Sequence, residues 1–62
     1  MTSEQYIEHV IANEGQILID IGITNGMIGG VHPPAENSEY GELHIYGLDW
    51  KFMTEVAYKP TT

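Results

Sequence analysis

Two hydrophobic periods divide the chain. In the first, Tyr6, Ile7, Val10 and Ile11 recur at the spacing of one helical face while Glu4, Glu8 and His9 point away, which predicts an amphipathic helix over residues 3–14. Thr2 and Gln5 are spaced as a capping box, in which the hydroxyl accepts a first-turn amide and the glutamine side chain reaches back; Ser3 is an alternative cap. Asn13-Glu14-Gly15 supplies the stop. Glu4 suits the positive end of the helix dipole, whereas Glu14 at the far end is mildly unfavourable and needs another reason to be there.

From Gln16 the period becomes two, with Ile17, Ile19, Ile21 and Ile23 on one side and Leu18, Asp20 and Gly22 on the other, the pattern of a strand. Asn25-Gly26 has the chemistry of a type I′ turn and predicts a hairpin. Met27 to Val31 is then the returning strand, weakened or bulged at Gly29-Gly30. His32 to Tyr40, with its diproline and the run Ala-Glu-Asn-Ser-Glu, reads as a loop. Glu42 to Tyr46 and Trp50 to Tyr58 form a second hairpin through Gly47-Leu48-Asp49, closed by Pro60. A short helix is the alternative for residues 50–58, because Phe52, Met53, Val56 and Ala57 also fit that period. The expected architecture is α+β: one N-terminal helix packed on an antiparallel sheet of three to four strands, covering its isoleucine face.

Sixty-two residues make a single domain, close to the lower limit at which a core alone offsets chain entropy. With no cysteine to form a staple, idealised packing and oligomerisation, a homodimer included, are the expected supplements. The start of the chain lacks a basic region followed by an apolar stretch, which points to the cytoplasm. The longest strongly apolar run, Ile17 to Ile19, stops at Asp20, far short of the roughly 20 residues of a membrane span.

Charge changes the picture most. Nine carboxylates against two lysines, with no arginine, give a net charge of −7. Such a field repels nucleic acid and anionic lipid, so neither is an expected direct partner. Hydrophobic residues make up 42% and charged residues only 18%, a composition that folds rather than one that stays disordered.

No enzyme chemistry is visible. Ser3 and Ser38 have no oriented base in view, and Gly22 to Gly26 lacks the lysine of a phosphate loop. No cofactor is expected. Glu42 and His44, two apart on one strand face, stand about 7 Å from each other and can begin a metal site. Three or four ligands are required, so no metal site is assigned. Met27, Ile28, Trp50 and Met53 are read as core.

The carboxylates remain. Glu4 and Glu8 lie one helical turn apart, about 6 Å, and alternate strand residues lie about 7 Å apart, spacings comparable with successive phosphates of a nucleic-acid strand. A surface of this kind fits a lysine- and arginine-rich groove built for DNA or RNA, with salt-sensitive attraction. The candidate partner-binding residues are Glu4, Glu8, Glu14, Glu36, Glu39, Glu42 and Asp49, with Tyr40 as an aromatic anchor beside Tyr46 and Trp50. The alternative is an accessory or oligomerisation module that pairs through a sheet edge, its carboxylates serving only solubility.

In size, charge and helix-plus-sheet pattern the whole chain resembles small phage-encoded inhibitors of the anti-CRISPR kind. Several of these are compact acidic α+β domains that block DNA binding by a CRISPR surveillance complex. The resemblance implies an acidic DNA mimic acting on such an effector complex and carries over no catalytic residues.

Overall fold

The computed structural model describes residues 1–60. Two helices, α1 (Ser3–Ala12) and α2 (Glu14–Asp20), precede three strands, β1 (Gly26–His32), β2 (Gly41–Gly47) and β3 (Phe52–Tyr58). The strands form an antiparallel sheet in the order β1-β2-β3. The fold is α+β, with the helices packed on the sheet. No helix among the described residues is long and apolar enough to cross a membrane.

The capping box closes as the spacing predicts: the Gln5 amide donates to Thr2 Oγ1 at 3.1 Å, and the Thr2 amide donates to Gln5 Oε1 at 2.8 Å. α1 ends two residues early because the Asn13 side chain donates to the His9 carbonyl at 2.8 Å and ties off the last turn. Its buried stripe is Tyr6 and Val10, narrower than the pattern suggests. Ile11 is 69% exposed, whereas His9 turns inward, its ring stacked on Tyr58 and its Nε2 3.0 Å from the Tyr58 hydroxyl.

The predicted first strand is a helix. Coiled as α2, the segment turns Ile17, Leu18 and Ile21 toward the core, while Gln16 donates to Asp20 at 2.9 Å on the outer side. Gly22, at φ +81°, ends it. Its amide reaches the Ile19 carbonyl at 3.1 Å, and the Ile23 amide reaches that of Leu18 at 2.9 Å, the paired bonds of a Schellman cap. The unexplained Glu14 now has a role: at the favourable N-terminus of α2, it accepts the Ile28 amide at 2.8 Å and ties the helix to β1. Asn25-Gly26 therefore makes no hairpin; it bends the chain from α2 into β1. β1 pairs with β2 instead, bulged at Gly29 between the pairs Ile28↔Ile45 and Gly30↔His44.

β2 is the central strand, and its alternation is the frame of the core. Leu43 and Ile45 are fully buried against Tyr6, Val10 and Ile17; Glu42, His44 and Tyr46 face the other way. Gly41 lies under the Tyr6 ring, and a Cβ there would collide with the phenol and with the His32 carbonyl. That close approach lets the Tyr6 hydroxyl donate to the Tyr58 carbonyl at 2.9 Å, joining α1 to the end of β3. β3 is a strand throughout, which removes the helical alternative for residues 50–58.

Two glycines separate this architecture from its rivals. Gly15→Ala, in α2 with open space around its Cβ, should raise stability by about 0.5 kcal/mol if residues 14–20 are helical. Gly41→Ala should lower it by about 1–3 kcal/mol through overpacking. Urea denaturation of both variants measures this.

Burial, and then the neighbouring Tyr58, raise the Tyr6 pKa above its usual 10.0. The unfolded chain therefore loses this proton first, so the contribution of Tyr6 is complete below pH 10 and falls as pH rises through the folded-state value. Tyr6→Phe should remove about 1 kcal/mol at neutral pH and flatten the alkaline limb of a stability–pH profile.

Candidate functional site

Helices cover one face of the sheet, and the other face is open. Cross-strand register arranges what it carries. Tyr46 pairs with Met27 and Phe52 near the β2–β3 turn, His44 with Gly30 and Glu55 in the middle, and Glu42 with His32 and Ala57 toward the loop of residues 33–40. The Tyr46 and Phe52 rings meet edge to face at 5.7 Å, and His44 meets Phe52 in the same way at 5.9 Å.

In the middle of this face, His44 Nε2 lies 3.3 Å from Glu42 Oε1 and 3.5 Å from Glu55 Oε2. The His32 ring stands 4.5 Å from that of His44. A hydrogen bond from Glu55, and then one from His44, hold the Glu42 carboxyl below its usual pKa. The same bond to Glu42, together with the negative charge of that carboxylate, pushes Glu55 up. Sequence pattern singled out Glu42 and His44 but left Glu55 and His32 outside the site. The missing signal is register: a bulge at Met53, across from the step between Ile45 and Tyr46, sets Glu55 rather than Thr54 opposite His44.

The other candidate residues divide among three places. Glu8, Glu36 and Glu39 border an open groove of about 1000 Å³ between α1 and the loop, and Glu4 sits in the exposed first turn of the same helix. Tyr40, 57% exposed, lies with Glu42 and Glu55 along a second depression on the other side of that loop. Lys59 pairs with Glu39 at 3.1 Å. Glu14 and Asp49 stand apart, Glu14 on the β1 amide described above and Asp49 at the β2–β3 turn, where it accepts the Lys51 amide at 3.2 Å.

That turn is strained and exposes large apolar side chains. Gly47 accepts the Trp50 amide at 2.9 Å and donates to the Lys51 carbonyl at 2.8 Å, a bulged turn that places Trp50 at φ +67°. Glycine is the usual occupant of such a position. Trp50 is 72% exposed, and Leu48, Phe52 and Met53 are exposed beside it. Trp50 and Met53 are therefore not core, contrary to the sequence pattern, whereas Met27 and Ile28 are half-buried. A side chain with so little packing recovers little of the backbone cost, which makes this tip a second candidate contact surface.

Compared with known protein families, with curated proteins and with solved structures, the chain has no match.

Trp50→Gly should raise stability by about 1 kcal/mol, because it relieves a left-handed conformation that a bulky side chain tolerates poorly. A shift of the urea midpoint to higher concentration checks this.

Proposed function

We propose that this chain is an inhibitor protein that occupies the nucleic-acid-binding surface of a defence complex, as an acidic mimic of DNA, in the manner of the anti-CRISPR proteins it resembles in size and charge. The observation that carries this reading is the crowding of carboxylates around one loop. Glu8, Glu36 and Glu39 border it on the helix side, and Glu42 and Glu55 border it on the side of the open sheet face. Lys59 is the single lysine among them, and Lys51 lies at the opposite end of β3. A cationic groove approaching the loop meets an almost uncompensated field. Attraction of that kind steers encounter over about a Debye length and fades with salt.

Glu4 and Glu8 make the first contacts on the helix, with Glu36, Glu39 and Glu42 on the loop side and Tyr40 as anchor. Glu14 and Asp49 serve mainly to hold α2 and the hairpin turn. The partner supplies arginine and lysine, and no nucleic acid enters the complex.

A second reading rests on a different observation. The exposed Leu48, Trp50, Phe52 and Met53 adjoin the free edge of β3, a surface suited to an accessory or oligomerisation module that pairs through this edge.

The two readings separate in one comparison. Binding to a nucleic-acid-free CRISPR effector complex should weaken at least tenfold (about 1.4 kcal/mol) when Glu8, Glu36, Glu39 and Glu42 are all changed to glutamine, and also when salt is raised. Asp20→Asn should leave binding unchanged. Salt-independent self-association lost in Trp50→Gly, with the glutamine variant unaffected, favours the second reading.

A further inference from the structure

We propose that Glu42, His44 and Glu55 form a binding site for a divalent transition-metal ion, zinc above all, on the open face of the sheet. The argument is geometric. Glu42 and His44 share one face of β2, and direct cross-strand pairing brings Glu55 of β3 opposite His44. Their donor atoms all lie within 4.8 Å of one another.

His44 Nε2 stands 3.3 Å and 3.5 Å from the two carboxylate oxygens. Two ligands at zinc bond lengths of about 2.0–2.1 Å, set at a tetrahedral angle, are separated by about 3.3–3.4 Å. The nitrogen and both oxygens thus already span two edges of a zinc tetrahedron, and side-chain adjustment alone completes the third. Water can take the fourth vertex, or His32, whose ring lies 4.5 Å from His44 and whose register partner is Glu42.

The donor types choose the metal. One imidazole with two carboxylates suits zinc and its first-row neighbours, whereas calcium and magnesium call for oxygen ligands and, in the case of magnesium, retained water. No lysine competes for the carboxylates: Lys59 is engaged by Glu39, and Lys51 belongs to the β2–β3 turn. Two glutamates side by side repel each other, and a dication removes that repulsion. Bound there, the ion cross-links β2 to β3 in a small chain that has no cysteine. The site stands on its own geometry, independent of the inhibitor reading.

Titrating the full chain with zinc chloride in chelator-free buffer tests it. At about 100 times the Kd, zinc should raise Tm by about 20 °C, and magnesium should not. Cobalt should bind with the visible absorption of a four-coordinate site. His44→Gln and Glu55→Gln, both replacing side chains outside the core, should each weaken zinc binding at least tenfold, while His9→Gln should not. No zinc-induced shift, or a shift that survives in the His44→Gln/Glu55→Gln double variant, would overturn the proposal.

Discussion

Two short helices can cover only one side of a three-stranded sheet, and the rest of this molecule follows from that constraint. The inward residues of β2, Leu43 and Ile45, are sealed by Tyr6, Val10 and Ile17. The outward residues of the same strand have no layer above them. They are a carboxylate, an imidazole and a phenol, each of which tolerates water, and their cross-strand neighbours include Phe52, Glu55 and His32. Burial on one face therefore gathers the polar chemistry on the other. The Tyr6 ring over Gly41, with its hydroxyl on the Tyr58 carbonyl, fixes where the helical layer sits.

The parts of this fold that were legible in the sequence are those specified by local chemistry. Thr2 and Gln5 name their own cap, β2 alternates cleanly, and the diproline marks the loop. Residues 16–23 misled because a short apolar run fits both periods: four alternating isoleucines read as a strand, although Ile17, Leu18 and Ile21 also form a helical stripe. Gly22 carried the deciding signal, a left-handed cap just after the last helical turn, but a glycine inside an alternating run reads equally well as a weak strand residue. Once α2 is a helix, Asn25-Gly26 has no preceding strand to turn back. Glu14 likewise changes from an unfavourable C-terminal charge into an N-terminal one with a backbone partner.

The site was only half legible, for a related reason. Spacing along one strand reveals Glu42 and His44, but Glu55 and His32 join them only through register, which depends on bulges at Gly29 and Met53. The charge distribution is similar. Counting residues shows an excess of carboxylates, whereas the crowding of five of them around one loop depends on how β2, β3 and α1 converge. The far end of the sheet is different in kind, exposing Leu48, Phe52 and Met53 beside a tryptophan in a glycine-like conformation.

Nuclear magnetic resonance of the isotopically labelled chain, titrated with a nucleic-acid-free effector complex at low and high salt, addresses the anionic end directly. The account predicts amide signals that shift or broaden from residues 33–42 and the first turns of α1 at low salt and recover at high salt, while α2 stays unperturbed. Perturbation centred on α2, or a map indifferent to ionic strength, would contradict it.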